Sequence, residues 1–314
     1  MVFPDPFWPR TTQRSSDCTR QLTSWRIVRS PRTRCTSVSC STVFATTKSS
    51  VVSSTDLYTE AGEARRRGNL VLYMAPLIRV EHLSKTYDAP RLFGRSDAGR
   101  PAIDDVSFEI AQGETFGLVG GSGSGKTTLG QSMLRLVEPS SGRVTVTLPE
   151  AEPVDLMALT AEQLRRFRQH LQLVFQDPYT SLNPQMTIRQ AIEEPLRIHG
   201  IVDPDDVDDR CRTLIEEVGL TPDVLGQRPG SMSGGQRQRV GVARALASEP
   251  CFIVADEPVT ALDVSVQAQI LNLLKDLQDK RGLSYLFISH DMAVVEHMAD
   301  RVGVMSDGRL VEVR

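Results

Sequence analysis

Apolar and polar residues alternate over 77–83 and 103–110, which predicts two half-buried strands of an antiparallel sheet. The pattern then changes. Short stretches that are apolar almost throughout, 115–119, 171–175, 251–255 and 284–288, have no polar face to offer to water and predict parallel strands covered on both sides. Helical spacing separates them at 127–136, 161–169, 265–280 and 291–299, with further strands at 143–148 and 301–305. Strand and helix in alternation predict an α/β fold, a parallel sheet between helical layers. Between 171–175 and 251–255 the alternation breaks, because 187–199, 207–218 and 233–248 all carry a helical period. That stretch reads as an inserted helical subdomain over about 178–240.

Candidate chemistry sits where strands end. Gly120-Gly121-Ser122-Gly123-Ser124-Gly125-Lys126-Thr127, followed by Thr128, fits G-x-x-x-x-G-K-[ST] between a predicted strand and a predicted helix. Glycines let backbone N–H groups converge on phosphate oxygens, and the helix start adds its positive end. In that role Lys126 reaches the β and γ phosphates of ATP, and the Thr127 hydroxyl ligates Mg²⁺. A flexible Gly/Ser linker does not end in Lys-Thr at such a junction. Asp256-Glu257 follows the apolar run Phe252-Ile253-Val254-Ala255, at the strand edge where α/β sheets bind ligands. Asp256 is placed to hold Mg²⁺ through water, and Glu257 to act as general base toward a water in line with the γ-phosphate.

Met232-Ser233-Gly234-Gly235-Gln236-Arg237-Gln238-Arg239 resembles the signature of the ATP-binding-cassette ATPases. Its Ser233, Gly234, Gly235 and Gln236 open a helix and form a second potential anion site. The resemblance implies a P-loop NTPase with a RecA-like parallel core, an antiparallel β subdomain and an inserted helical subdomain. It also implies a head-to-tail dimer that buries two ATP molecules. Other positions match the family in order. Tyr87 resembles the aromatic residue that stacks on adenine, Gln176 the glutamine that senses Mg²⁺ and attacking water, Asp263 the loop that crosses to the other subunit, and His290 the switch histidine at the γ-phosphate.

Finer matches, 176–184, 91–95 and 256–271, are similar to the dipeptide and oligopeptide importer ATPases, F-type subunit. That subfamily implies a second ATPase subunit (a D-type paralogue or a second copy), two transmembrane permease subunits, an external solute-binding protein acting indirectly, and a peripheral place on the cytoplasmic face of the inner membrane. The cargo it implies is peptide or a related solute such as nickel. Gly121 stands where the subfamily usually has Glu, and Met232 where Leu or Phe is usual. Gln227-Arg228-Pro229-Gly230 replaces a more typical approach to the signature, and the sequence stops at Arg314, where the subfamily continues into a C-terminal extension.

Composition adds a seam to this picture. The whole chain of 314 residues has net charge −3, but residues 1–73 hold eleven Lys/Arg against five Asp/Glu, which leaves −9 for the remainder. An acidic cassette argues against a nucleic-acid partner. The first 73 residues contain 22 Ser/Thr, three of the five cysteines and both tryptophans, with no sustained apolar period. They predict a disordered extension, read as an over-extended start with Met74 the true one, and less as a transit peptide. No apolar run reaches 18 residues, so no membrane span is expected. Two alternatives stand beside the importer ATPase. One is a truncated, transport-incompetent remnant; the other is a soluble cassette ATPase acting on DNA or ribosomes, against which the single cassette and the absence of heptads count.

Overall fold

The computed structural model describes residues 76–87, 101–149, 151–176 and 181–314, all within the unit Ala75–Arg314. The basic leader 1–73, the loop 91–95 and residues 177–180 of the subfamily-specific loop lie outside the described residues.

Two sheets carry the fold. The first is antiparallel, in the order β2-β1-β4-β5, with β1 at Ile78–Lys85, β2 at Ile103–Ile110, β4 at Ser141–Val146 and β5 at Val154–Asp155. The second has six strands in the order β10-β9-β3-β8-β7-β6. These are β3 at Thr115–Gly120, β6 at Leu171–Val174, β7 at Phe252–Asp256, β8 at Ser284–Ile288, β9 at Arg301–Ser306 and β10 at Arg309–Val313. All neighbours in it are parallel except β10 on β9. Every residue of β7 and β8 is buried, the reason their sequences show no alternation. The α/β architecture expected from the alternation is the one observed.

The sheets join through a shared core. Phe108 of β2 stacks on Phe116 of β3 with centroids 4.8 Å apart, while Leu129 and Met133 of helix α1, Lys126–Met133, pack among Leu118, Leu286 and Ile288. On the opposite side of the parallel sheet, Ile253, Tyr285 and Phe287 pack in a second core with α6, Val264–Arg281, and α7, Met292–Met298. Each such side chain contributes roughly 1.5–3 kcal/mol on burial. A polar helix α2 spans Ala161–Phe167.

Three helices stand between β6 and β7: α3 at Ile188–His199, α4 at Val207–Glu217 and α5 at Gly234–Leu246. Thr187 starts α3 with a reciprocal capping box to Gln190, and Gly200 ends it in the left-handed region. Their apolar faces are continuous with the second core, and polar clamps reinforce the joint to α6. Arg281 pairs with Glu217, while Arg239 donates to Val218 O and to Gln269 Oε1.

Several features depart from the pattern read in the sequence, among them the short strand β5, a strand β4 at 141–146 rather than 143–148 and a helix α2 that ends at 167 rather than 169. Apolar positions in β1 and β2 step by three, from Val80 to Leu83 and from Ile103 to Val106, because the register shifts there. His82 and Asp105 adopt φ of 50° and 56° at these steps, and their side chains meet at 2.7 Å. The helix after the phosphate loop ends at Met133 rather than 136. Beyond the strand at 301–305, Asp307 and Gly308 turn the chain with φ of 51° and 82° into an unpredicted edge strand, β10.

Candidate active site

The loop Gly120–Thr127 lies at the carboxyl end of β3 and opens α1. Gly125 occupies the N-cap with φ 100°, and a Cβ there would lie 2.1 Å from Ala102 O, so only glycine fits. No side chain caps this helix, so its first-turn N–H groups are left for another acceptor. Lys126 folds back over the loop, its Nζ donating to Gly120 O at 2.9 Å and Gly121 O at 3.0 Å. Burial pushes its ammonium below the ordinary lysine range, while Glu257 and Asp256 pull it back up. Gly121, Ser122 and Gly123 are exposed, Ser124 is buried and Thr128 half-buried on α1. The β9–β10 turn braces the loop from beneath, with Gly308 N donating to Ser124 O at 3.0 Å.

The parallel register brings the acids alongside. Asp256 ends β7, and its Oδ1 accepts from Thr127 Oγ1 at 3.1 Å across 129 residues of sequence. Burial raises the Asp256 carboxyl above the usual carboxylate range; the Thr127 hydrogen bond and Lys126 oppose the shift, and Glu257 adds to it. Two hard oxygen donors side by side, one a buried carboxylate, form a set that suits Mg²⁺ completed by water and phosphate oxygens.

Glu257 has left the strand. Its φ of 46° lies in the left-handed region, and its N–H donates to Ile288 O at 2.9 Å. The carboxylate gathers residues from three loops. Gln176 Nε2 donates to Oε2 at 3.1 Å, His290 Nδ1 stands 3.2 Å from the same oxygen, and Thr260 Oγ1 donates to it at 3.0 Å. Two of these partners are residues singled out in the sequence; Thr260 is not. Its position three residues beyond Glu257 was the available signal.

The remaining predicted residues lie apart from this cluster. Ser233 and Gln236 bond to each other rather than to the phosphate loop: Gln236 N donates to Ser233 Oγ at 3.3 Å, and Ser233 N to Gln236 Oε1 at 2.9 Å. Gly234 and Gly235 lie against Leu262 and Val266, where a Cβ on Gly235 would come within 2.5 Å of Val266. Asp263 takes the N-cap position of α6 without a side-chain cap bond and is exposed, as is Val264 beside it. Tyr87, 51% exposed, follows β1 with Lys85 Nζ 5.1 Å from its ring centre.

With this geometry in place, comparison with known proteins gives a consistent answer. Residues 103–260 match the family model described as ABC transporter. A Brucella ovis protein named as a peptide import ATP-binding protein is 50% identical over 238 residues, 76% of this chain and 72% of that one. The oligopeptide transport ATP-binding protein AppF of Bacillus subtilis is 47% identical over 223 residues, 71% of this chain and 66% of that one. Among solved structures, the ATP-binding cassette MJ0796, in a dimeric post-hydrolysis state bound to ADP and Pi, superposes with a TM-score of 0.66 at 28% identity, covering 76% of this chain and 97% of that one. The cassette cbiO1 of Clostridium perfringens gives 0.64 at 26%, covering 76% and 88%.

Proposed function

This chain belongs to the ABC transporter family and is an ATPase, and from that premise we propose that it energises the import of peptides. The observation that carries the reading is the convergence of Gln176 and His290 on Glu257 beside the Thr127–Asp256 pair and Lys126. The names of the relatives, peptide import and oligopeptide transport ATP-binding proteins, support peptide as cargo. A related small solute such as nickel is the second reading, carried by the subfamily resemblance alone.

In this reading the uncapped start of α1 and the backbone of Gly120–Gly125 cradle the phosphates of ATP, and Thr128 continues that contact. Lys126 exchanges the carbonyls of Gly120 and Gly121 for β and γ phosphate oxygens. Tyr87 offers its exposed ring to the adenine. Thr127 and Asp256, with Gln176 nearby, would hold Mg²⁺, which would supply neutralisation of phosphate charge. Glu257 takes a proton from the attacking water, and His290 and Gln176 orient that water.

The second glycine-rich motif, Ser233–Gln236, and Asp263 act on the nucleotide of a partner ATPase subunit in a head-to-tail pair. That partner is a D-type paralogue or a second copy. The helical insert over about 178–240 transmits closure and reopening of the pair to two permease subunits, with an external binding protein upstream of them. The catalytic cassette is 74–314, and residues 1–73 lie outside it. Among the described residues no helix is long and apolar enough to cross a membrane. In this reading attachment at the cytoplasmic face of the inner membrane runs through the permease.

Glu257→Gln tests the reading. Steady-state ATP hydrolysis falls by at least about a hundredfold, within the usual range for general-base removal, while nucleotide binding is retained. Retained turnover would remove Glu257 as the base. Peptide uptake by vesicles carrying the permease, present with the wild-type chain and absent with Glu257→Gln, assigns the cargo.

A further inference from the structure

Three side chains meet Glu257 at a single carboxylate oxygen, and they differ in how they are tethered. Gln176 and His290 reach Oε2 from loops 81 and 33 residues away. Both side chains are exposed, and each has a nucleotide-facing role in the reading above. Thr260 is three residues along the same turn. Its N–H donates to Glu257 O at 3.3 Å while its hydroxyl donates to Glu257 Oε2 at 3.0 Å, so backbone and side chain of the base are gripped from one residue. Pro258 and Val259 between them are buried, and Leu262 N donates to Val259 O at 3.1 Å, which fixes the turn that carries the hydroxyl. Oε1 accepts no hydrogen bond among the described residues.

We propose that Thr260 is a positioning residue for the reaction, its hydroxyl holding Glu257 by Oε2 so that Oε1 remains the oxygen that accepts the proton from water. The inference rests on Glu257 being the general base. A glutamate side chain free to rotate spends only part of its time in a reactive rotamer, and a local donor removes that freedom before the substrate arrives. When Gln176 and His290 turn toward nucleotide and water, the Thr260 bond is the one that stays with the carboxylate, because it lies within the turn itself. The position demands a hydroxyl and little else, since its side chain is exposed and packs in no core.

Thr260→Val keeps the shape and removes the donor. In the full-length chain we expect kcat for ATP to fall about tenfold to a hundredfold, the loss of one hydrogen bond to a charged group, with KM for ATP within about twofold of wild type. Thr260→Ser restores kcat to within about threefold. In a Glu257→Gln background Thr260→Val has no further effect on turnover or on nucleotide affinity, because the carboxylate it serves is gone. A purely structural role would instead lower the melting temperature and raise KM in both backgrounds, and Thr260→Ser would not separate from Thr260→Val. An unchanged kcat in Thr260→Val, or equal defects in the Ser and Val variants, overturns the proposal. If Glu257→Gln itself turns over normally, it is the assignment of the base that fails, a distinct result.

Discussion

The molecule has two glycine-rich helix starts, and they are prepared in opposite ways. At Gly120–Thr127 the N-cap is a glycine that offers no side-chain acceptor, an ammonium lies folded over the loop and two carboxylates stand within its field. At Ser233–Gln236 the serine and glutamine close a capping box on their own helix, and the glycines face Leu262 and Val266. The first start is an electrostatic socket waiting for a multiply charged ligand. The second has met most of its own needs, and what it keeps for a ligand is the hydroxyl proton of Ser233 and the first amides of α5. A site with so little charge does not capture phosphate by itself. In the head-to-tail pairing proposed above, such a start would read a phosphate that another subunit has already bound.

The contrast breaks most severely if the charge at the first site is removed. Asp256→Asn leaves Thr127 with a hydrogen-bond partner but takes away the anionic oxygen proposed for Mg²⁺. ATP turnover should fall about a thousandfold or more, and ATP affinity should become the same in Mg²⁺ and in EDTA. Stability moves the other way. The folded-state pKa of Asp256 is raised by burial, so its ionised form destabilises the fold at neutral pH, and that cost disappears as pH falls through the raised value. The nucleotide-free variant should therefore melt at or above the wild-type temperature at pH 7.5, with the difference shrinking on acidification. A variant that melts lower at neutral pH but keeps Mg²⁺-dependent binding would refute both halves.

At the second site the expected effect is smaller and of another kind. Ser233→Ala removes the cap of α5 and costs about 1 kcal/mol of stability in thermal or denaturant unfolding. Turnover should fall about ten- to a hundredfold, whereas ATP binding to a single subunit, followed with a fluorescent nucleotide, should not change. If affinity falls in step with turnover, both sites serve one nucleotide within one chain and the comparison collapses.

Much of this was legible beforehand, for identifiable reasons. The strands at 103–110 and 284–288 match the structure end to end, because burial on one face or two leaves a direct trace in apolar period. Lys126, Thr127, Asp256 and Glu257 are marked by motif and Gln176 and His290 by the family resemblance, and the parallel register brings them together. What escaped the reading is short-range and conformational. The three-residue steps at Val80 to Leu83 and Ile103 to Val106 signal bulges only once pairing is known. β10 is mostly exposed and shows no buried face, although Asp307-Gly308 is a hairpin signal. The left-handed backbone of Glu257 leaves no mark in residue type, and Thr260 offers only a hydroxyl three residues beyond Glu257, a signal that becomes specific once the turn and the rotamer are known.

The smallest effect sharpens the comparison from inside the first site. Gly121 stands where the resembling subfamily carries Glu, and an acid in a phosphate loop looks hostile to ATP. The geometry argues otherwise. Gly121 has no left-handed backbone requirement, it is exposed, and a Cβ there would have open space, unlike Gly125, where Ala102 O would be 2.1 Å away. The loop contributes to Lys126 through the Gly121 carbonyl, which any residue supplies. Gly121→Glu should thus change unfolding free energy by no more than about 0.5 kcal/mol and ATP affinity by no more than about threefold, the range of an exposed substitution screened by solvent. Gly125→Ala, measured beside it, should lose nucleotide binding and stability together, because a left-handed N-cap pressed against a carbonyl leaves a methyl group no place. Equal behaviour of the two variants would mean that the loop relaxes freely, and that the first site owes its affinity to Lys126 and the acids rather than to a preformed backbone.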